Sequence, residues 1–110
     1  MEWSDKNGSL LDSIAVAVLR DKELLSAACC DKPEIHIHAH SIGFWKERGR
    51  GSAWIWCSHC GTFSHLDGIP ISSDWENNPD VDFSQVCAVP VYLETVKDAV
   101  DQHLKEFLDK

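Results

Sequence analysis

The hydrophobic positions of this chain change period along its length. Leu10-Leu11, Ile14, Val18-Leu19 and Leu24-Leu25 recur at the spacing of one helix face, with Ser9 placed to cap it and Asp12 three residues further on. This spacing predicts a helix over about 9–28, bent near Arg20-Asp21. It must stop before Pro33, because the residue preceding a proline is pushed out of the helical region.

The period then drops to two. Glu34-Ile35-His36-Ile37-His38-Ala39-His40 alternates strictly, which predicts a strand with Ile35, Ile37 and Ala39 on one face and three histidines on the other. Gly43 and the polar stretch Lys46 to Gly51 predict an exposed loop, and Ser52 to Cys57 has the composition of a second strand. A tight turn at Cys57-Ser58-His59-Cys60-Gly61 leads into a third, short strand at Thr62 to Leu66, which completes an antiparallel meander.

From Gly68 to Pro90 the chain carries Pro70, Pro79, Pro90 and the run Asn77-Asn78-Pro79-Asp80, so a long loop folded over the core is expected. Thr95 with Asp98 resembles a capping arrangement. Beyond it Val96, Ala99, Val100, His103, Leu104, Phe107 and Leu108 form one apolar stripe at helical spacing. The predicted fold class is therefore α+β: an amino-terminal helix, a three-stranded antiparallel meander, a long loop, and a carboxyl-terminal helix packed on the sheet.

A chain of 110 residues with 44% hydrophobic residues and five tryptophans has enough apolar surface for one core without covalent staples. The start, Met1-Glu2-Trp3-Ser4-Asp5, is acidic where a secretory signal would be basic, and the longest apolar run is Ile14 to Leu19. These features lead us to expect a cytoplasmic, soluble protein of a single domain with no membrane contact.

The net charge of -8 is unevenly placed: residues 1–73 hold nine acidic and seven basic side chains, and residues 74–110 hold nine acidic and three basic. A field of this sign repels nucleic acid and favours a basic partner, although an acidic balance is also an ordinary route to solubility. The acidic loop suggests a partner-binding surface at Asp74, Glu76, Asp80 and Asp82, with Trp75 as its apolar anchor. Alternatively Trp75 packs inward to pin the loop and the carboxylates only solvate it.

Five cysteines stand at 29, 30, 57, 60 and 87, an odd number that argues against a complete disulfide framework. Cys57 and Cys60, in a C-x-x-C-G turn between two strands, can point both thiolates at one ion, and a structural zinc needs four ligands. Cys29 and Cys30 lie where the partner knuckle of a zinc ribbon would sit, but adjacent cysteines rarely both reach one ion; His59 and His65 are the other candidates. The competing reading is a pair of reduced turn thiols. Cys87, among apolar residues, reads as a buried thiol.

His36, His38 and His40 have the H-x-H spacing of several metalloenzyme strands, yet Ser41 to Trp45 hold no glutamate to complete a cupin set. A polar, partly solvated strand face is the plainer expectation. Trp54 and Trp56 share one face of their own strand, with core packing their default role, a protein-binding anchor the alternative, and nucleobase stacking opposed by the charge. His103 reads as a core or boundary residue. No phosphate loop, nucleophile elbow or paired-carboxylate arrangement is present.

Through Trp54-Ile55-Trp56-Cys57-Ser58-His59-Cys60-Gly61, then Phe63-Ser64-His65, Pro70 and Trp75-Glu76-Asn77, the chain resembles small bacterial immunity proteins of polymorphic and contact-dependent toxin systems. The resemblance implies a non-enzymatic cytoplasmic antidote that binds a basic toxin domain, often a nuclease. Members with cysteine knuckles look like zinc-ribbon proteins, which leaves a zinc-ribbon-like protein-interaction module as the alternative. A small metal-dependent enzyme using the His36/His38/His40 strand is the third.

Overall fold

A computed structural model describes residues 2–25 and 28–110. Its elements, in order, are α1 (Gly8–Asp21), β1 (Ile35–His40), α2 (Gly43–Glu47), β2 (Arg50–Cys57), β3 (Phe63–Pro70), a 3-10 turn (Phe83–Gln85), α3 (Val91–Thr95) and α4 (Lys97–Leu108). The sheet has the order β1-β2-β3 and both of its pairings are antiparallel, the meander expected from the alternation and the turn.

The first helix is shorter than its apolar spacing predicts. It closes at Asp21 because Lys22 turns left-handed, with φ of 55°, and the Lys22 and Glu23 N–H groups donate to the Val18 and Ala17 carbonyls. The apolar pair Leu24-Leu25 therefore lies beyond the helix and is exposed, and residues 26–27 lie outside the described residues. Ser9 is inside α1 rather than at its cap, which falls on Asn7, and Asp12 bonds instead to the Ser64 hydroxyl of β3.

Strict alternation in β1 sorts the sheet's two faces as expected. Ile37 and Ala39 join Ala53 and Ile55 of β2 beneath Leu11, Ile14, Ala15, Val18 and Leu19 of α1, forming one core layer. The opposite face is not partly solvated, as the three histidines had suggested. It carries Trp54 and Trp56, covered by Val81, Leu93 and Val100 from the loop and the carboxyl-terminal helices, and His36 and His38 are each only 2% exposed. The loop and α3–α4 act as a lid on a face whose polar side chains must therefore find partners.

The lid is tied down by polar side chains that imitate backbone pairing. Asn77 accepts from the Ser41 N–H and donates to the Ser41 carbonyl, both at 2.8 Å, and Asn78 donates to the Ala99 carbonyl at 3.2 Å. Gly51 is required where β2 leaves the α2 turn: a Cβ there would stand 2.7 Å from the His40 carbonyl oxygen and from Ile71 Cδ1.

Two local expectations fail at the carboxyl end. Thr95 closes α3, its hydroxyl donating to the Tyr92 carbonyl, so it does not cap α4, whose preceding residue is Val96. Cys87 is exposed rather than buried; its backbone carbonyl accepts the Trp54 indole N–H at 3.1 Å, so the main chain packs inward while the thiol faces out. Val100 and Phe107 of the predicted apolar stripe are buried, as an amphipathic helix lying on the sheet requires. Among the described residues, no helix is long and apolar enough to cross a membrane.

Candidate metal centre

The turn after β2 is built from the backbone outward. The Gly61 N–H donates to the Cys57 carbonyl at 3.0 Å, and Gly61, at φ of 75°, takes a left-handed conformation that a side chain would strain. The amino-terminal segment clamps the far side: Ser4 donates to the Gly61 carbonyl and accepts from the Phe63 N–H, both at 2.9 Å. On the near side the Ser58 N–H donates to the Glu34 carbonyl at 3.0 Å, and Ile35 pairs with Cys57 in the sheet register. The approach to β1 is thus pinned beside the turn, and this brings Cys29 and Cys30 to it.

Four sulfurs converge there. Cys29, Cys30, Cys57 and Cys60 place their Sγ atoms within 4.8 Å of one another, with Cys29–Cys60 at 3.5 Å and both Cys29–Cys30 and Cys30–Cys57 at 3.8 Å. A tetrahedral zinc with Zn–S bonds of about 2.3 Å separates its sulfurs by about 3.8 Å, so the donor set fits such an ion. None of the four is in a disulfide. Adjacency does not keep Cys29 and Cys30 from a common point, contrary to the spacing argument. The chain bends at 29–32, ahead of Pro33, so that the two side chains reach the same cluster. His59 is exposed, and His65 stacks on Trp54 with its ring 4.7 Å away; neither belongs to the cluster.

The four thiols are not equivalent. Burial alone would push Cys57 up, but the backbone N–H groups of Glu34, Cys60 and His59, and hydrogen bonding with Cys29, outweigh it and hold its thiol at about 7. The Glu34 N–H lies 3.4 Å from the Cys57 sulfur. Burial and contact with neighbouring thiols push Cys29 up, and burial likewise raises Cys30. One sulfur is therefore prepared as a thiolate by fixed donors, while the others gain from a cation that displaces their protons.

Beside the cluster runs a polar chain that the sequence did not disclose. His36 Nδ1 is 2.6 Å from Asp101 Oδ1 on α4, and His36 Nε2 is 2.7 Å from Ser58 Oγ. Ser58 Oγ donates to Glu94 Oε2 at 2.7 Å, and the Trp56 indole N–H donates to the same oxygen at 2.8 Å. Burial raises the Glu94 carboxyl, but its donors Ser58 and Trp56 and the nearby Lys97 outweigh that and hold it below the ordinary range. The His36 ring thus stands between Asp101 and Ser58, and the Ser58 hydroxyl between that ring and Glu94. Ser58 is 7% exposed, so this Asp–His–Ser order encloses its hydroxyl and fixes the knuckle to α3 and α4.

His38 and His40 take other roles. Among the described residues, His38 has no partner at either ring nitrogen, and burial first, then the neighbouring His40 and His103, depress it to about 3. His40 stacks on Phe83 at 3.7 Å. The H-x-H spacing is thus divided among a hydrogen-bonded, an unpartnered and a stacked ring.

The acidic residues expected to meet a partner are differently engaged. Trp75 is only 5% exposed; its ring meets His103 and Phe107 edge-on at 4.7 and 5.0 Å, so it pins the loop inward and offers no exposed anchor. Asp74 pairs with Lys22 at 2.6 Å, and Glu76 lies 3.7 Å from Lys110. Asp82 caps the 3-10 turn, and hydrogen bonds from Ser84 and Gln85 hold its carboxyl below the usual range. Asp80 is exposed.

The fold and the cluster together define a small α+β protein with a four-cysteine centre able to coordinate a metal. Compared with protein-family models, curated proteins and solved structures, the chain matches none of them.

Proposed function

We propose that this chain is a zinc-ribbon-like protein-interaction module, in which Cys29, Cys30, Cys57 and Cys60 hold one structural zinc. The convergence of four sulfurs from two separate segments carries the reading. An all-sulfur set suits a soft or borderline ion and leaves no open position for a reacting group, which is the pattern of a structural site. Zinc bound there ties the 28–34 approach, the β2–β3 turn and, through Ser58, His36 and Asp101, the last helix into one unit. Such a protein acts by presenting a surface.

Metal content settles the reading against its simplest rival. Protein purified without chelator should contain one zinc per chain by elemental analysis, released when a thiol reagent modifies the four cysteines. A folded protein free of metal would return them to ordinary thiols.

In a second reading the partner is a toxin domain and the chain an immunity protein. The exposed side chains of Asp80 and Asp82 support it, because they lie in the most acidic third of the chain, where a basic partner would be steered. Co-expression with a toxin-like neighbouring gene product, scored as rescue of growth, tests it.

A further inference from the structure

The geometry points to the β1–β2 connection as the docking surface of this module, and to an acidic, apolar-bearing segment of a partner protein as its occupant. The inference rests on the reading of the chain as an interaction module and locates the contact away from the acidic loop. Ile42, Phe44 and Trp45 are 61%, 62% and 37% exposed, and α2, which carries the two aromatics, buries none of its five residues. Exposed large apolar side chains occur singly on most surfaces, but three within four positions form a ridge, and contiguous ridges with a polar rim mark binding sites. The ridge is held out by its own backbone: Gly43 enters the turn at φ of 57° with open space where a Cβ would be.

The rim has the opposite sign to the molecule. In a chain of net charge -8, Lys46, Arg48 and Arg50 cluster within five residues against one carboxylate, Glu47. The Arg48 guanidinium lies over the Phe44 ring, 4.1 Å from its centroid, so charge and apolar surface form one feature. Beside the ridge a cleft of about 320 Å³ is lined by Lys46, Glu47, Ile71 and Trp75. Among the described residues, the indole N–H of the buried Trp75 has no partner. A guest with apolar side chains for Ile42, Phe44 and Trp45 and carboxylates for Lys46 and Arg48 satisfies both chemistries. An anionic membrane would offer the same charge, but the net negative charge of the whole chain opposes approach to such a surface.

Short random peptides displayed on phage, selected against the zinc-loaded full chain and then synthesised singly, provide the probe. Selected peptides should combine Asp or Glu with Leu, Phe or Trp. Their affinity should weaken about tenfold or more in Phe44→Ala and in Arg48→Glu, fall with added salt, and be unchanged in Asp80→Asn. Both ridge substitutions are at exposed positions, and zinc content measured on the same samples shows whether the centre is intact. Failure to select binders, basic peptides, or acidic peptides indifferent to both ridge variants would overturn the surface while leaving the zinc reading to its own test. Binding of phosphatidylserine vesicles, lost in Phe44→Ala, with no ridge-dependent peptide would also overturn it, in favour of a membrane.

Discussion

Cys29 and Cys60, 31 residues apart in the chain, hold their sulfurs 3.5 Å from each other. No ladder hydrogen bond joins these two residues; the first lies before β1 and the second in the turn after β2. Their approach follows from the pairing of Ile35 with Cys57, which sets the start of one strand beside the end of the next. The sheet thus assembles the ligand set, and a bound ion would in turn fasten the sheet.

Alkylation should separate the cysteines into two classes. With metal bound, iodoacetamide should add to the exposed Cys87 and spare the other four; after chelation, further adducts should appear by intact mass, Cys60 being the most accessible of the cluster. Equal labelling of all five before and after chelation would contradict a ligated cluster.

Ser58 joins the buried His36 ring to the half-buried Glu94 carboxylate. Ser58→Ala leaves the His36 Nε2 without its partner and removes a donor from Glu94, so a loss of about 1–3 kcal/mol in urea unfolding is expected. Asp101→Asn keeps the shape and weakens the charge-assisted bond to His36, and a smaller loss should follow. Full stability in Ser58→Ala would show that the chain of hydrogen bonds contributes little.

His38 gives the protein a specific sensitivity to acid. Its folded value, about 3, lies below the ordinary 6.5, so the unfolded state takes up the proton first. The stability tied to the neutral ring is present above about 6.5 and is lost as pH falls towards 3, at roughly 1.4 kcal/mol for each unit separating the two values. His38→Leu should flatten this part of the stability profile between pH 7 and pH 4 relative to the parent, which urea midpoints along a pH series would show. Parallel profiles would mean that water or a rearrangement serves the buried ring.

Trp75 distinguishes a packing role from a contact role. Trp75→Ala should cost about 3–5 kcal/mol of stability, because it empties the space against Phe107 and His103. A neutral substitution would return this residue to the surface role that its acidic neighbours suggest.

Much of this arrangement was legible in local patterns. Alternation in 35–40 gave the strand and its two faces, and Cys57-x-x-Cys60-Gly61 gave the turn, because each depends only on near neighbours. What patterns could not show was what covers each face. His36, His38 and His40 look solvent-facing in isolation, and only the fold of 71–100 over Trp54 and Trp56 buries the first two. Asp101 and Glu94 carried no signal for the same reason, since their partners lie 65 and 36 residues away. Cys29 and Cys30 are candidate ligands in the sequence, but their adjacency argues against a common ion, a rule that ignores a bend in irregular backbone. The early end of α1 at Lys22 likewise turns on one left-handed residue that the apolar period does not report.

The most direct test of the account is zinc content set beside thermal stability, in the parent protein and in Cys57→Ser. We expect one zinc per parent chain, a melting temperature that falls substantially on chelation and recovers when zinc is restored, and a Cys57→Ser protein that neither holds zinc tightly nor responds to it. A parent protein that is metal-free as isolated, and whose melting temperature is the same with zinc, with chelator and in Cys57→Ser, would contradict it.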